Sequence, residues 1–442
     1  KIKEDEGKVE VFDKLAKYYE KDIQKQYADG AVPGMTVEPE LPDELLNEAR
    51  EYTDTAVITI CRFSGEGWDR KCEAAQDGYV LDGEEKRNSE LSAKIFENGD
   101  FCLTNAENIM VEKVKKAFTH VIVVMNVGGI VDTKWFRDCD EIQSVLMAWQ
   151  GGMEGGLATA DILCGDVNPS GKLSDTYAKD LEDYPSTANF HESAFYVDYT
   201  EDIYVGYRYF ETIPGAAERV NYPFGFGLSY TDFDWKVTGA SEENGVITVL
   251  TEVTNTGKTA GKEVVQIYIH DVVSTVMTPV KQLKGFKKVE LQPGEEKLVQ
   301  LKVPVHELYL TSNFGDRYLE PGKFEIQVGT SSDEIYYKLP VWVGNKPISL
   351  EENSLSKVPV ITTGKVIRIE GIVRDVQATP IAGVKVKTIS SEEGVMTDAK
   401  GSYSLPAHSD DILLFSKKGY ASQKVRTNGQ HKINIQMMKE NF

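Results

Sequence analysis

The chain has 442 residues, which corresponds to roughly three domains at about 150 residues each. Hydrophobic residues make up 41% of the sequence and charged residues 27%, as in folded globular proteins, which excludes a disordered chain. The 49 basic and 70 acidic residues give a net charge of −21. Such a surface repels phosphate backbones and anionic lipids, so the sequence predicts no nucleic-acid partner, whereas a neutral substrate such as a sugar is compatible. Apolar runs such as residues 121–127 are far shorter than the roughly 20 residues that span a bilayer.

The cysteines and histidines give no sign of a metal site. The five cysteines form no C-x-x-C pair, are odd in number and all lie in the first 164 residues, at positions 61, 72, 102, 139 and 164. This pattern argues against a disulfide scaffold and a structural zinc site, so most of them are expected to be buried thiols. The six histidines are scattered, and no pair has metal-ligand spacing. The sequence therefore predicts neither a metal nor a cofactor.

Residues 31–229 alternate between strand-like and helix-like segments. Three short apolar runs, Ala56–Arg62, Val121–Asn126 and Ser144–Trp149, are of the kind that a parallel sheet buries on both faces. Alternating with them, the sequence predicts three helices. The first begins after Pro42, the second begins with a capping box at Thr104–Glu107, and the third covers residues 156–164. This alternation predicts a layered α/β domain. Residues 1–30 precede it as an acidic, helix-forming lead-in, which we interpret as a trimmed start of the domain.

After Tyr230 the hydrophobic period changes to two, which is typical of β-strands. Alternating sets such as Ile247, Val249 and Val253, separated by turns with glycine, predict a β-sandwich over residues 230–344. Residues 345–363 are polar and aperiodic, which predicts a linker. Short strands return over residues 364–442 and predict a second, smaller β-sandwich. The fold class is therefore an α/β sandwich domain followed by two all-β sandwich domains.

Two glycine-rich segments are poor matches to nucleotide-binding motifs. Gly165–Lys172 has five residues between its glycines instead of four, and Leu173 stands where a serine or threonine would bind magnesium. Asn126–Gly129 follows a strand but does not continue into a dinucleotide-binding fingerprint. Both are expected to be structural turns.

The segment Ser64-Gly-Glu-Gly-Trp-Asp-Arg70 is the one that indicates chemistry. It follows the strand 56–62, at the end of the sheet where α/β domains bind ligands. Glycines on both sides of Glu66 let the backbone project its carboxyl group and let a ligand approach closely. Trp68 offers a stacking face for a sugar ring and could raise the pKa of Glu66 by desolvation, as a general acid needs. The alternative is a surface turn with a solvated glutamate.

This segment resembles the acid/base loop of family 3 glycoside hydrolases, the β-glucosidase group. Further motifs of that family follow in the same order, at residues 99–103, 123–129, 149–156, 160–173, 201–209 and 222–230. Asn255–Tyr268 is similar to the fibronectin III-like domain that comes next, and residues 364–442 resemble a carboxypeptidase regulatory-like module. The last module favours a periplasmic or extracellular setting, and a cytoplasmic one stays open.

The resemblance implies a retaining, exo-acting glycosidase that removes terminal β-linked sugars. In this mechanism an aspartate attacks the anomeric carbon, and a glutamate first protonates the leaving oxygen and then activates water. The resemblance assigns the glutamate to Glu66 and places Trp68 in the +1 subsite. Arg208 and Tyr209 we interpret as structural support.

The aspartate nucleophile belongs to a (β/α)8 barrel whose Ser-Asp-Trp and Lys-His-Phe segments do not occur in these 442 residues. The sequence therefore predicts that a barrel from a companion chain or from another part of the same product completes the site. The alternative is a non-catalytic module for carbohydrate association or oligomer contacts, and a homo-oligomer is compatible with either hypothesis. Retention of Gly65, Glu66 and Gly67 together favours the enzyme. The sugar, the linkage and the aglycone are not specified by the sequence.

Overall fold

A computed structural model of the chain describes residues 2–31, 34–64, 83–190, 195–311, 317–344, 366–375, 377–388, 394–409, 411–427, 430–437 and 439. The predicted linker, residues 345–363, and the predicted site residues Glu66 and Trp68 lie outside this part of the chain. The chain divides into two compact units. The first contains Lys1–His270, Pro279–Val303 and Ile326–Leu339, and the second contains Asp271–Thr278, Pro304–Glu325 and Pro340–Phe442.

The first 230 residues form an α/β region. Its helices are α1 (Ile2–Asp5), α2 (Asp13–Ala28), α3 (Asp43–Tyr52), α4 (Gly83–Ile95), α5 (Asn105–Ala117), α6 (Lys134–Arg137), α7 (Gly155–Leu163) and α8 (Tyr207–Thr212). Its strands are β1 (Thr55–Arg62), β2 (His120–Val127), β3 (Ser144–Met147), β4 (Tyr177–Ala178) and β5 (Val220–Tyr222). Strands β1, β2 and β3 pair in parallel and in that order, while β4 pairs with β5 in an antiparallel ribbon. The predicted parallel sheet is confirmed.

The core of this region lies between the parallel sheet and helices α3 and α5. The predicted apolar face of α5 is buried, and it includes Met110, Val111, Val114 and the capping residue Phe118. From the lead-in, Phe12 and Leu15 pack against the same core. An amphipathic helix with an apolar face of this width is stabilised mainly by packing against a neighbouring layer, which is the arrangement here.

The prediction that the strands are buried on both faces holds for most of the central strand β2 but is wrong for β1 and β3, since no residue of β3 is fully buried. Ile58 and Ile60 are buried, but Val57, Thr59 and Cys61 on the other face are exposed. The reason is that β1 is the edge strand of the described sheet, and the described chain covers only one of its faces. The prediction that most cysteines are buried is also wrong, because Cys61 is exposed and Cys102, Cys139 and Cys164 are only partly buried, while Cys72 lies outside the described residues.

The next region is all β. Its strands are β6 (Phe233–Glu243), β7 (Val246–Asn255), β8 (Gly261–Asp271), β9 (Gln282–Leu291), β10 (Glu296–Pro304), β11 (Leu310–Thr311), β12 (Arg317–Tyr318), β13 (Gly322–Gly329) and β14 (Ile335–Val343). The larger sheets have the orders β10-β7-β6 and β14-β13-β8-β9, as expected for a sandwich. Strand β7 confirms the predicted alternation, because every second residue from Ile247 to Asn255 is buried.

Strand β8 departs from that alternation, since residues 263–269 are all buried. The face that the pattern assigned to solvent contacts the end of the α/β region instead. The ring of Tyr268 lies 5.8 Å from that of Tyr207 on α8, and the Gln266 side-chain amide donates to the carbonyl of Gly225 at 3.3 Å. The Gly165–Lys172 turn contributes to this junction, because Lys172 forms an ion pair with Glu263 at 3.0 Å. A structural role for that turn is consistent with this contact.

The last module is a small sandwich with its own core. Its strands are β15 (Val366–Arg374), β16 (Lys385–Thr388), β17 (Gly394–Met396), β18 (Ser402–His408), β19 (Ile412–Lys417), β20 (Tyr420–Arg426) and β21 (Ile435–Gln436). They form sheets with the orders β18-β15-β21 and β17-β16-β19-β20. Tyr403 and Phe415 contribute large buried rings to its core. Among the residues that the structure describes, no helix is long and apolar enough to cross a membrane.

Candidate active site

The ends of the three parallel strands meet at one edge of the sheet. The backbone N–H of Gly128, after β2, donates to the carbonyl of Arg62 at the end of β1, at 3.0 Å. A β-carbon at position 128 would lie 2.7 Å from the β-carbon of Ser64 and 2.7 Å from Nε2 of Gln150, after β3. Only glycine fits between these side chains without displacing one of them. The chain segment that leads into the predicted acid/base loop is therefore held against the turns of both neighbouring strands.

Arg62 fixes the point at which that loop leaves the sheet. Its guanidinium forms a two-point ion pair with the Glu107 carboxylate, at 2.8 Å from Nη1 to Oε1 and 2.6 Å from Nη2 to Oε2. It also donates to the carbonyls of Asp100, Cys102 and Cys61, at 3.1, 2.9 and 2.8 Å. The side chain is only 3% exposed. A buried guanidinium is tolerated only when its charge and donors are satisfied, and these contacts use all five N–H groups.

Glu107 has a second role as the capping-box residue of α5. Its carboxylate accepts the backbone N–H of Thr104 at 2.8 Å, while its own N–H donates to the Thr104 hydroxyl at 3.1 Å. The predicted capping box is thus confirmed. Arg62 lies over the ring of Phe96, with its Cζ 4.7 Å from the ring centroid. One carboxylate therefore joins the end of β1, the start of α5 and the loop between residues 100 and 104.

The turn after β3 completes this edge with an unusual backbone. Trp149 has a positive φ of 53°, and Gly152 has a φ of 68°. A β-carbon on Gly151 would lie 2.7 Å from the α-carbon of Gly155, the first residue of α7. The glycines in this turn therefore permit close backbone packing.

Glu38 carries a half-buried carboxyl group. It lies on the segment after Gly34, which contacts the entry to the predicted acid/base loop at Phe63. A β-carbon on Gly34 of this segment would lie 3.3 Å from the β-carbon of Phe63. Burial raises the pKa of Glu38 to about 7, and repulsion from the Glu107 carboxylate adds to this, whereas a 2.6 Å hydrogen bond from the Tyr19 hydroxyl opposes it. Glu38 thus takes up a proton more readily in the folded chain than in the unfolded chain.

This shift predicts a pH-dependent loss of stability. Because the pKa of Glu38 is raised from 4.5, its contribution to folding is fully present below pH 4.5 and is lost as the pH rises through about 7. Glu38→Gln keeps an acceptor for Tyr19 but carries no charge. Between pH 5 and pH 8 we expect the wild-type free energy of unfolding to fall by about 2 kcal/mol relative to this variant, after allowance for partial exposure. Urea titrations at the two pH values test this.

The control is Glu40→Gln, which removes an exposed carboxylate two residues further on. It should leave the pH dependence of unfolding as in the wild type. Equal pH dependence in wild type and Glu38→Gln would show that Glu38 is not the titrating group.

The structure places the predicted site residues as follows. Glu66 and Trp68 lie outside the described residues, and only the entry to their loop is described. The ring of Tyr209 packs against a small core with Phe210 and Ala216, and Arg208 donates to the carbonyl of Ile203 at 3.4 Å. Within the described chain, no three histidine, cysteine, aspartate or glutamate side chains are grouped as metal ligands would be.

The sequence did not predict the role of Arg62. The only available signal was an arginine at the end of a strand that was expected to be buried.

The α/β region that carries this edge matches a known family. The profile described as Glycosyl hydrolase family 3 C-terminal domain matches residues 6–230, which is more than half of the chain. The chain belongs to glycosyl hydrolase family 3. A Fibronectin type III-like domain matches residues 263–332 and a CarboxypepD_reg-like domain matches residues 369–442, so the resemblance drawn from the motifs is confirmed for all three modules.

The family relatives are named as β-glucosidases. The chain is 49% identical over 372 residues to beta-glucosidase A of Butyrivibrio fibrisolvens, a match that covers 79% of this chain and 45% of the relative. It is 32% identical over 391 residues to thermostable beta-glucosidase B of Acetivibrio thermocellus, which covers 87% and 46%. The solved structure of beta-glucosidase 3B from Thermotoga neapolitana in complex with glucose aligns with a TM-score of 0.65 at 33% identity, covering 78% of this chain and 46% of that one. The chain thus spans less than half the length of these relatives.

Proposed function

We propose that this chain supplies the general acid/base half of a retaining, exo-acting β-glycosidase of the β-glucosidase type. The observation that carries this proposal is the family match over residues 6–230, which includes the Ser64–Arg70 segment. In the proposed reaction an aspartate on a (β/α)8 barrel forms the glycosyl-enzyme bond while Glu66 gives its proton to the departing oxygen. Glu66 then takes a proton from water, which attacks the anomeric carbon and releases the sugar. Trp68 is proposed to contact the leaving group.

The architecture around the loop entry suits a general acid. Such a group contributes only if its carboxyl lies within hydrogen-bond reach of the leaving oxygen, so its loop must start from a fixed point. Arg62 and Gly128 provide that point, through the five donated bonds of the guanidinium and the close contact with Ser64. A residue at the carboxyl edge of a parallel sheet also faces the crevice where α/β domains bind ligands.

Exposed apolar surface supports the proposal that a barrel covers part of this chain. Phe195 and Tyr199 are 96% and 89% exposed, and Tyr196 and Val197 between them are also exposed. Met153, in the glycine-rich turn after β3, is fully exposed. Soluble proteins rarely present consecutive large apolar side chains to water unless a partner surface covers them. A barrel from the same product or from a companion chain is the partner we propose.

The test of the proposal is to isolate the native protein and assay it beside the isolated chain. We expect the native protein to contain a barrel in addition to these 442 residues and to hydrolyse an aryl β-glucoside, and the isolated chain to be inactive because it lacks the nucleophile. Turnover by the isolated chain would show that the nucleophile lies within it. An inactive native protein that contains a barrel would instead favour a non-catalytic accessory or oligomerisation module.

A glycine substitution tests the proposed role of the loop entry. Gly128→Ala places a methyl group against Ser64 and Gln150, which must move by some tenths of an ångström or more. In the complete enzyme we expect kcat for a poor leaving group to fall about 10- to 100-fold, because small misplacements of an acid are costly. Steady-state kinetics on an alkyl β-glucoside measure this. The matched control is Gly156→Ala, since a β-carbon at that position in α7 meets nothing within 4 Å, and it should leave kcat unchanged.

A further inference from the structure

The connection between β6 and β7 is an asparagine followed by a glycine. Asn244 and Gly245 alone form it, because Glu243 pairs with Val246 across the hairpin. Both connecting residues have a positive φ, 54° and 78°, as a type I′ turn requires. Both are exposed, and a β-carbon on Gly245 would meet nothing within 4 Å. The turn therefore stands in open solvent at the tip of the hairpin.

An asparagine that precedes a glycine has a nucleophile next to its own side-chain amide. The backbone nitrogen of Gly245 can close a cyclic imide on Cγ of Asn244, and proximity within one chain makes such an attack far faster than attack by a second molecule. Gly245 has no side chain to obstruct the ring closure. Its N–H must lose a proton in this step, and it donates to Oε1 of the partly exposed Glu242 at 2.9 Å. This carboxylate is placed to act as a general base.

A second Asn-Gly pair in the described chain is held by hydrogen bonds. Asn98 donates through Nδ2 to the carbonyl of Leu103 at 3.1 Å and to Oδ1 of Asn105 at 3.3 Å. Gly99 is buried, and its N–H donates to the carbonyl of Phe96 at 2.9 Å. Ring closure at this pair would first have to break these bonds, which slows it. A third pair, residues 428–429, lies outside the described residues.

We propose that Asn244 is a site of spontaneous modification, at which the side-chain amide is converted into a carboxylate. The Gly245 nitrogen bonds to Cγ of Asn244 and gives its proton to Glu242. The bond between Cγ and Nδ2 then breaks, and Glu242 returns the proton to Nδ2, which leaves as ammonia. Water opens the cyclic imide. Its attack at Cγ yields aspartate, and its attack at the backbone carbonyl carbon yields isoaspartate, in which the main chain runs through Cγ.

The two products affect the hairpin differently. Aspartate adds a negative charge beside Glu242 and Glu243 but tolerates the positive φ of this position. Isoaspartate lengthens the main chain by one atom, so the connection no longer matches the pairing of Glu243 with Val246. We therefore expect isoaspartate to release the adjoining ends of β6 and β7. This inference goes beyond the proposed glycosidase reaction, because the modification needs neither Glu66 nor a barrel.

Timed incubation of the intact chain at pH 8, followed by peptide mapping with mass spectrometry, tests the proposal. In the folded chain we expect Asn244 to convert about tenfold or more faster than Asn98, because hydrogen bonds hold Asn98. In urea the two asparagines should convert at similar rates, since a glycine follows each. Glu242→Gln should slow conversion at Asn244. The matched control is Glu243→Gln, which removes the neighbouring exposed carboxylate and should leave the rate unchanged.

Similar rates at Asn98 and Asn244 in the folded chain, or no conversion at Asn244, would overturn the proposal. An unchanged rate in Glu242→Gln would overturn the role of Glu242 as the base. Asn244→Asp separates the two products. Amide hydrogen exchange at the adjoining ends of β6 and β7 should be as in the wild type in this variant and faster in the isoaspartyl fraction. Equal exchange in that fraction would overturn the expected release of the hairpin.

Discussion

Glu66→Ala in the complete enzyme is expected to slow the hydrolysis of β-glucosides with poor leaving groups by about 10²- to 10⁴-fold. An alkoxide must be protonated as it departs, whereas an activated phenolate such as 4-nitrophenolate leaves without a proton. The first step of the variant should therefore depend steeply on the pKa of the leaving group. Steady-state kinetics over a series of aryl and alkyl β-glucosides measure this slope. Azide should restore turnover of the activated substrates, because it attacks the glycosyl-enzyme without needing a general base.

Glu154 gives a demanding control for that experiment. It is an exposed glutamate in the glycine-rich turn after β3, at the same edge of the sheet as the entry to the Glu66 loop. Glu154→Ala should leave the leaving-group dependence as in the wild type. If Glu154→Ala produced the steep slope and the azide rescue, it would replace Glu66 as the acid. If both variants lost activity equally on every substrate, neither residue would be the proton donor.

Arg62→Met is expected to destabilise the α/β region by about 3–5 kcal/mol. The substitution keeps most of the side-chain volume but leaves the buried Glu107 carboxylate without its cation and three backbone carbonyls without their donor. Arg62→Lys should recover only part of the loss, because an ammonium group cannot reproduce the planar fork of five donors. The free energy of unfolding of the α/β region is measured by urea unfolding of the chain, with amide hydrogen exchange in α5 as the readout.

Two further variants separate the ion pair from a general effect of removing an arginine. In Arg62→Met combined with Glu107→Gln no buried charge remains, and the glutamine can still accept the Thr104 N–H, so stability should partly return. Arg219→Met removes a half-exposed arginine that lies 3.9 Å from Asp183, and it should cost less than about 1 kcal/mol. A small loss in Arg62→Met, similar to that in Arg219→Met, would show that the buried pair contributes little.

The sequence predicted the features that local patterns determine. The Thr104 capping box, the apolar face of α5 and the alternation in β7 depend on residues a few positions apart, and the structure confirms each of them. The family and the order of the three modules were also recognisable, because several motifs occur in the same order. The roles of Glu66 and Trp68 stay predictions.

Features that depend on distant residues were not predictable in this way. Apart from the carbonyl of Cys61, the partners of Arg62 lie 38 to 45 residues further along the chain, so no local pattern indicates that the guanidinium is buried. Strand β8 was expected to have one solvent face, but Tyr268 on that face contacts Tyr207, which precedes it by 61 positions. The open face of β1 was missed for the opposite reason, since an apolar run predicts burial without saying what covers it. Long-range packing decides each of these cases.

The ion pair between Arg62 and Glu107 also sets an order for folding during synthesis. During synthesis at roughly 5–20 residues per second, Glu107, which follows Arg62 by 45 positions, is made about two to nine seconds later. Until then the guanidinium has no counter-charge, and the strand that carries it has neither β2 beside it nor the start of α5 against its end. The segment that carries the proposed proton donor therefore leaves the ribosome before the residue that anchors it. A nascent chain whose emerged part ends between these two positions should be cleaved by proteases near residue 62, and one whose emerged part extends beyond β2 should be protected there.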